Sequence, residues 1–324
     1  MKLLLKIVLV VLLLLGVSGV GGYFYVQNKF QAPTNQLAVT GLPAACSFVW
    51  EADTMAKPKV AHAVLLIPIT LAGCPRTCYL QFDTGAPYSL LYAKSLAALR
   101  AAYPATQRAL TVQHDTIRDL AFNLGNGQVQ ARRILVRPYG MSQLPADSIP
   151  LVIGTLGTDV LADQVLVLDY PRQRFTLLRQ VPETLAQHAT FAPLDFSNRR
   201  VIVRAAMQEQ SQDFLFDSGS SAFSLLTSQR IWEKLAALAA HEQVNKVNSW
   251  GNTLLAHTAT SEAVMQLGTT PVPLRTVTYI EGTSLMQQAL MRFSGMTGML
   301  GNEPFSQQTI ILDARGNRFG IMRN

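Results

Sequence analysis

The hydrophobic positions of this chain fall into short runs, and most have the period of strands. After position 45, the stretches VAHAVLLIPITLAG, CYLQFDTG, QVQARRILVRPY, DQVLVLDY and RFTLLRQV are β-branched or alternating, and Gly, Pro and Asn turns divide them. Only AKSLAALRAAY and SQRIWEKLAALAA have a clear helical pattern. The patterning predicts a mostly β fold.

The first apolar run is of another kind. MKLLLKIVLVVLLLLGVSGVGGYFYVQNKF has two lysines and then an almost unbroken apolar stretch from Ile7 to Tyr25. About 20 such residues span a bilayer. Lys2 and Lys6 ahead of the run favour a cytoplasmic N-terminus with the body outside. The expectation is an uncleaved signal anchor over 1–27, a single-pass transmembrane helix in the cytoplasmic membrane, with the body on the exterior or periplasmic side. No A-x-A site is present, and Tyr23, Phe24 and Tyr25 suit an interfacial belt. A cleaved signal peptide with a secreted body is the rival reading, since GVSGVGG at 16–22 supplies small residues. Residues 28–45 read as a stalk.

The remainder repeats itself. LQFDTGAPYSLLYAKSLAAL matches FLFDSGSSAFSLLTSQRIWEKLAAL, FNLGNGQVQARRILVRPY matches MQLGTTPVPLRTVTYI, and LGTDVLADQVLVLDYPRQRFTLL matches LGNEPFSQQTIILDARGNRFGIM, in the same order. The offset is 134 residues between Asp83 and Asp217 and 144 between Gly157 and Gly301, so ten additional residues lie between the motifs of the second half. Two homologous β lobes are expected, 46–187 and 188–324.

Composition narrows the partners. With 49% hydrophobic and 15% charged residues, the 324-residue chain can build a substantial core. Its net charge of +7 comes from scattered basic residues without aromatic interleaving, so no nucleic-acid partner is expected. Cys74 and Cys78 bracket CPRTC between two strands, where a disulfide suits an exported body, and Cys46 is left over. The five histidines stand at no ligand spacing from these cysteines, so neither a metal nor a cofactor is expected.

Each half ends an apolar strand in Asp, a small hydroxyl residue and Gly. An approximate twofold axis would bring Asp83 and Asp217 face to face, about 3 Å apart, each held by the amides of a glycine turn. Two carboxylates in contact do not both ionise cheaply, so they hold one proton between them. Such a pair polarises a trapped water, one carboxylate taking its proton while the other donates to a carbonyl oxygen. Gly85 and Gly219 permit the tight turns, and Thr84 and Ser218 carry hydroxyls able to bond across the junction. The neighbour Ser220 has a hydroxyl to offer Asp217, while Ala86 has none for Asp83.

These motifs resemble the aspartic peptidases of the pepsin and retropepsin type over nearly all of the chain after residue 45. The resemblance rests on apolar-apolar-D-[TS]-G-[SA] in each half and on the later apolar-apolar-Gly elements TLG (155–157) and MLG (299–301). It implies a bilobal, all-β, pepsin-like fold in one chain, monomeric, whose substrate is polypeptide. It also implies catalysis by Asp83 and Asp217, supported by Thr84, Gly85, Ser218, Gly219 and Ser220. A non-catalytic peptide-binding or structural protein with the same fold is the alternative; retention of both aspartates favours the enzyme.

The family's flap is a hairpin with Tyr before G-x-G. Its best match is FNLGNGQV, making Leu124, Gly125, Asn126 and Gly127 the flap candidate, with Leu124 in place of the Tyr; an ordinary hairpin turn outside the site is the other reading. His114 and Asp115, adjacent on an expected strand, would face opposite ways and make no pair. Asp169 and Asp313 read as structural turn carboxylates, and Trp50, Trp232 and Trp250 as packing or groove-edge residues.

Overall fold

A computed structural model describes residues 31–54, 59–238, 240–249, 252–282 and 296–323. The chain divides into two units, Met1–Thr34 and Asn35–Asn324, and among the described residues every strand belongs to the second. Among the described residues no helix is long and apolar enough to cross a membrane. The anchor expected over 1–27 lies outside the described residues.

The second unit is mostly β. Its centre is a run of six antiparallel strands, in the order Ala44–Ser47, Arg174–Leu178, Val165–Asp169, Thr309–Asp313, Arg318–Met322 and Ala189–Asp195. The duplication is written into this sheet. Val167 pairs with Ile311, 144 residues on, while Val165 pairs with Asp313 and Asp169 with Thr309. The pairing therefore exchanges equivalent residues about the Val167–Ile311 pair, as a local twofold requires. Runs such as VLVLD and TIILD, whose residues are mostly buried, suit such a central position.

Each half then builds its own sheet over a strand pair leading to the aspartate. Cys78–Phe82 runs parallel to Leu151–Leu156, and Gln210–Phe216 runs parallel to Met296–Leu300. The last residue of each Asp-bearing strand packs edge-on against the central sheet: Phe82 on Phe175 at 5.3 Å between centroids, and Phe216 on Phe319 at 5.7 Å. All four rings are buried. Such contacts add about 0.5–1.5 kcal/mol each beyond the area they bury, and they fix where both Asp turns begin.

The structure corrects the stalk. Leu37–Thr40 pairs antiparallel with Gln128–Ala131, and Ala44–Ser47 is an outer strand of the central run, so residues from Asn35 onward are part of the fold. The pairing partners lie some ninety or more residues away, and four-residue strands between Pro and Gly carry no period of their own.

The expected helices form at Ala93–Ala102 and Gln229–Leu235. The second is shorter than its pattern, although Ser228 caps its start by accepting from Ile231 N. After Leu235 the chain pairs with a neighbour instead: Ala237 N donates to Thr260 O, and Ser261 Oγ donates to Leu235 O. The extra length of the second half is accounted for nearby. Gln243–Ser249 and Asn252–Thr260 form a hairpin, where the first half has the 3-10 helix Pro104–Thr106 and the single bridge Gln113–Thr116.

Candidate functional site

The two Asp turns meet. Gly85 N donates to Asp83 Oδ1 at 2.8 Å, and Gly219 N donates to Asp217 Oδ1 at 2.9 Å. Each glycine also lies against the opposite carboxylate. A β-carbon at Gly85 would fall 2.7 Å from Asp217 Oδ1, and one at Gly219 would fall 2.7 Å from Asp83 Oδ1. Only residues without a side chain allow this approach.

The hydroxyls beside the aspartates lock the junction reciprocally. Thr84 N donates to Ser218 Oγ at 2.9 Å, and Ser218 N donates to Thr84 Oγ1 at 2.8 Å. Thr84 Oγ1 donates to Phe216 O at 2.7 Å, and Ser218 Oγ donates to Phe82 O at 3.0 Å. Both residues are buried, so each hydroxyl is used twice with no water competing. Turn position and strand end are tied across the two halves by four bonds.

Burial pushes the Asp83 carboxyl up to about 8, helped by the charge of Asp217 and the hydrogen bond to it, against donation from the Gly85 and Ala86 amides. Ser220 Oγ donates to Asp217 Oδ2 at 2.9 Å. Ala86 supplies no counterpart for Asp83. The geometry suits a pair whose proton is held on Asp83.

Behind each turn passes a glycine. A β-carbon at Gly157 would fall 2.5 Å from the Tyr88 carbonyl carbon, and one at Gly301 would strike the Ser220 and Phe223 carbonyl oxygens. The residue before each glycine receives the aspartate's amide, Asp83 N on Leu156 O at 3.1 Å and Asp217 N on Leu300 O at 2.8 Å. Next to these glycines lie two hydroxyl–carboxylate pairs that pattern reading missed. Ser89 N and Oγ donate to the Asp159 carboxylate at 2.7 and 2.6 Å, and Ser89 Oγ accepts from Gly157 N at 3.0 Å. In the other half Ser224 Oγ donates to Glu303. The signal was present in the repeat: S-L-L after each Asp turn, and an acid two residues after each later Gly. Asp159 is buried, which raises its pKa, while the Ser89 hydroxyl and amide and the charge of Arg199 pull the other way.

The flap candidate is not at this site. Leu124 is fully buried in the core, and Gly125, at φ +57°, abuts Ala45 O. Asn126 Oδ1 accepts from Ala45 N, and its Nδ2 donates to Pro43 O, both at 2.8 Å. The second half repeats the arrangement: at Gly268, φ +58°, a β-carbon would lie 2.8 Å from Phe191 O, on the matching outer strand of the central sheet. The glycine turn is thus a structural dock in both halves, and Leu124 beside it is a core residue.

The other singled-out residues also find places. His114 and Asp115 are exposed in a turn with φ of 45° and 57°, so their separation comes from the turn and not from strand alternation. Asp169 accepts from Arg172 N and Asp313 from Gly316 N, each as a turn carboxylate. Trp50 stacks on Tyr170, and Trp232 meets Tyr279 edge-on. Trp250 lies outside the described residues. Cys46, Cys74 and Cys78 are free thiols, with the Sγ atoms of Cys74 and Cys78 3.9 Å apart. A cavity of about 180 Å³ lies beside the second Asp turn, lined by Trp50, His62, Ser221, Asn302 and Glu303 among others, and it includes neither aspartate.

A scan against models of known protein families found no match, and a search of curated proteins likewise found none.

Proposed function

We propose that this protein is an aspartic endopeptidase of the pepsin and retropepsin type, hydrolysing peptide bonds in polypeptide with a water held between Asp83 and Asp217. The observation that carries the reading is the reciprocal packing of Gly85 on Asp217 and of Gly219 on Asp83. It supports one shared site of two carboxyls, which is what proton transfer to and from a single water requires. Asp217, ionised and held by Ser220, takes a proton from the water as its oxygen attacks the peptide carbonyl carbon. Asp83 gives its proton to the carbonyl oxygen. Collapse of the tetrahedral species breaks the C–N bond: the proton gained by Asp217 passes to the leaving amine, and one hydroxyl of the gem-diol returns its proton to Asp83 as the new carboxyl forms. The substrate binds extended, as an added strand whose alternate side chains enter separate pockets.

Because both aspartates come from one chain, a monomer suffices. The apolar run Ile7–Tyr25 and the lysines before it support a membrane anchor with the body outside the cytoplasm, or secretion after cleavage. One observation favours a second reading, a non-catalytic peptide-binding or structural protein: the G-N-G hairpin is docked on Pro43–Cys46 and leaves the aspartates without that cover. Incubation of the protein with a peptide library, with and without pepstatin, separates the two. The enzyme yields cleavage products that pepstatin suppresses; the binding protein retains peptides intact.

A further inference from the structure

The hairpin of Gln243–Ser249 and Asn252–Thr260 in the second half is held at its base by an imidazole. His257, in strand Asn252–Thr260, places Nδ1 2.5 Å from Glu242 Oε1, at the root of the hairpin's first strand. Its Nε2 lies 2.8 Å from Glu281 Oε2, at the end of strand Thr276–Glu281. The ring is stacked on Tyr279 at 4.4 Å with an interplanar angle of 10°. Trp232, from helix Gln229–Leu235, closes on Tyr279 and donates its Nε1 proton to Val277 O. The His257 side chain is 12% exposed, against 43% for Glu242 and 60% for Glu281, so the ring is enclosed while its partners reach water.

A neutral imidazole has one N–H and one bare nitrogen, and an ionised carboxylate only accepts. Both contacts are hydrogen bonds at once only when both ring nitrogens carry protons. The arrangement is therefore that of an imidazolium. Loss of one proton turns one bond into a lone pair facing a carboxylate oxygen. We propose that His257 is a proton-operated latch, which when protonated ties the hairpin to strand Thr276–Glu281 and when neutral releases one glutamate and loosens the hairpin's base.

Two ionisable groups act on the ring directly, Glu242 and Glu281, and two more stand behind them. Glu242 comes from the hairpin's root and Glu281 from the end of the neighbouring strand; Tyr279 of that strand stacks on the ring, and the charge of Glu233 from the helix is felt at Tyr279. Desolvation lowers the His257 pKa, but the bonds and charges of Glu242 and Glu281 outweigh it and leave the pKa raised. A raised folded-state pKa makes the latch fully present below the unfolded histidine's range, and it is lost as pH rises through the folded value.

The latch has a route to the candidate site. Strand Thr276–Glu281 pairs in parallel with Leu225–Thr227, which leaves the Asp217 turn, and Thr276 Oγ1 lies 3.1 Å from Ser224 Oγ. Any bearing on peptide cleavage rests on the aspartic peptidase reading; the latch itself does not.

Hydrogen exchange of the full chain tests it without turnover. Rates for the strands of 243–260 are measured from about pH 5 to about pH 8, bracketing histidine titration, and corrected for intrinsic exchange. The latch predicts a several-fold faster corrected exchange at the alkaline end, a step absent in His257→Gln. The Glu242→Gln, Glu281→Gln double variant keeps the ring and should move the step to lower pH. A wild-type chain without the step, a step retained in His257→Gln, or one unmoved in the double variant overturns the proposal.

Discussion

Gly85 sits against the Asp217 carboxylate so closely that a β-carbon would lie 2.7 Å from Oδ1, and Gly219 stands in the same relation to Asp83. The contact is reciprocal, so the two aspartates are positioned by each other's turns. Gly85→Ala and Gly219→Ala should each push the carboxyls apart. Overpacking of this kind costs about 1–3 kcal/mol, which denaturant unfolding reads. Peptide cleavage should fall by about a hundredfold or more, the effect of a 1 Å misplacement. The two variants should behave alike, because the geometry is symmetric.

The hydroxyl lock gives a second, purely structural prediction. Thr84→Val leaves Ser218 N and Phe216 O buried without their partner. Each orphaned group costs about 1–3 kcal/mol. Thr84→Ser restores both bonds and should recover most of the loss in equilibrium unfolding.

Much of this site was legible in the sequence because it is local and doubled. The D-T-G and D-S-G turns, their hydroxyls and the glycines at 157 and 301 are each set by a few adjacent residues, and the repeat vouches for both copies. What escaped depends on contacts between distant segments. The dock of Asn126 on Pro43 and Ala45 joins residues more than eighty positions apart, and G-N-G alone reads as any exposed turn. Leu37–Thr40 and Ala44–Ser47 are strands only because Gln128–Ala131 and Arg174–Leu177 supply partners. QVNKVNS, polar and without a period of two, gave no strand signal, yet it pairs along its whole length with Asn252–Thr258. The latch at His257 is likewise assembled from three segments.

The raised pKa of Asp83 fixes the sign of a stability change. In the unfolded chain this carboxyl titrates near its ordinary value of about 4, and in the folded chain near about 8. Between these values the folded state holds a proton that the unfolded state has lost, so stability falls as pH rises through that window and levels above it. Asp83→Asn cannot titrate and should flatten this part of the curve. Denaturant midpoints measured across the window check it; an unchanged slope in the variant would assign the dependence to other groups.

The asymmetry between Ser220 and Ala86 predicts how the pH–rate profile shifts. Ala86→Ser offers Asp83 the hydroxyl that Asp217 already has, stabilises its ionised form and should move the alkaline limb of cleavage to lower pH. Pro87 constrains the loop, so the shift should stay below about one unit. Ser220→Ala removes the bond to Asp217 Oδ2 and weakens the preference for charge on that residue. An unmoved profile in Ala86→Ser, with a clear upward shift in Ser220→Ala, would place the proton on Asp217 instead.

The central claim is that Asp83 and Asp217 act as one catalytic pair, and single carboxyl-to-amide changes test it most directly. Asp83→Asn and Asp217→Asn keep the side-chain shape, and each still has an oxygen to accept from Gly85 N or Gly219 N. Initial rates of peptide cleavage are compared for wild type, each single variant and the double variant, with folding confirmed by unfolding curves. The account predicts that either single change abolishes cleavage and that the double change costs no more than one of them, since neither carboxyl works alone. Full cleavage by either folded single variant would contradict it.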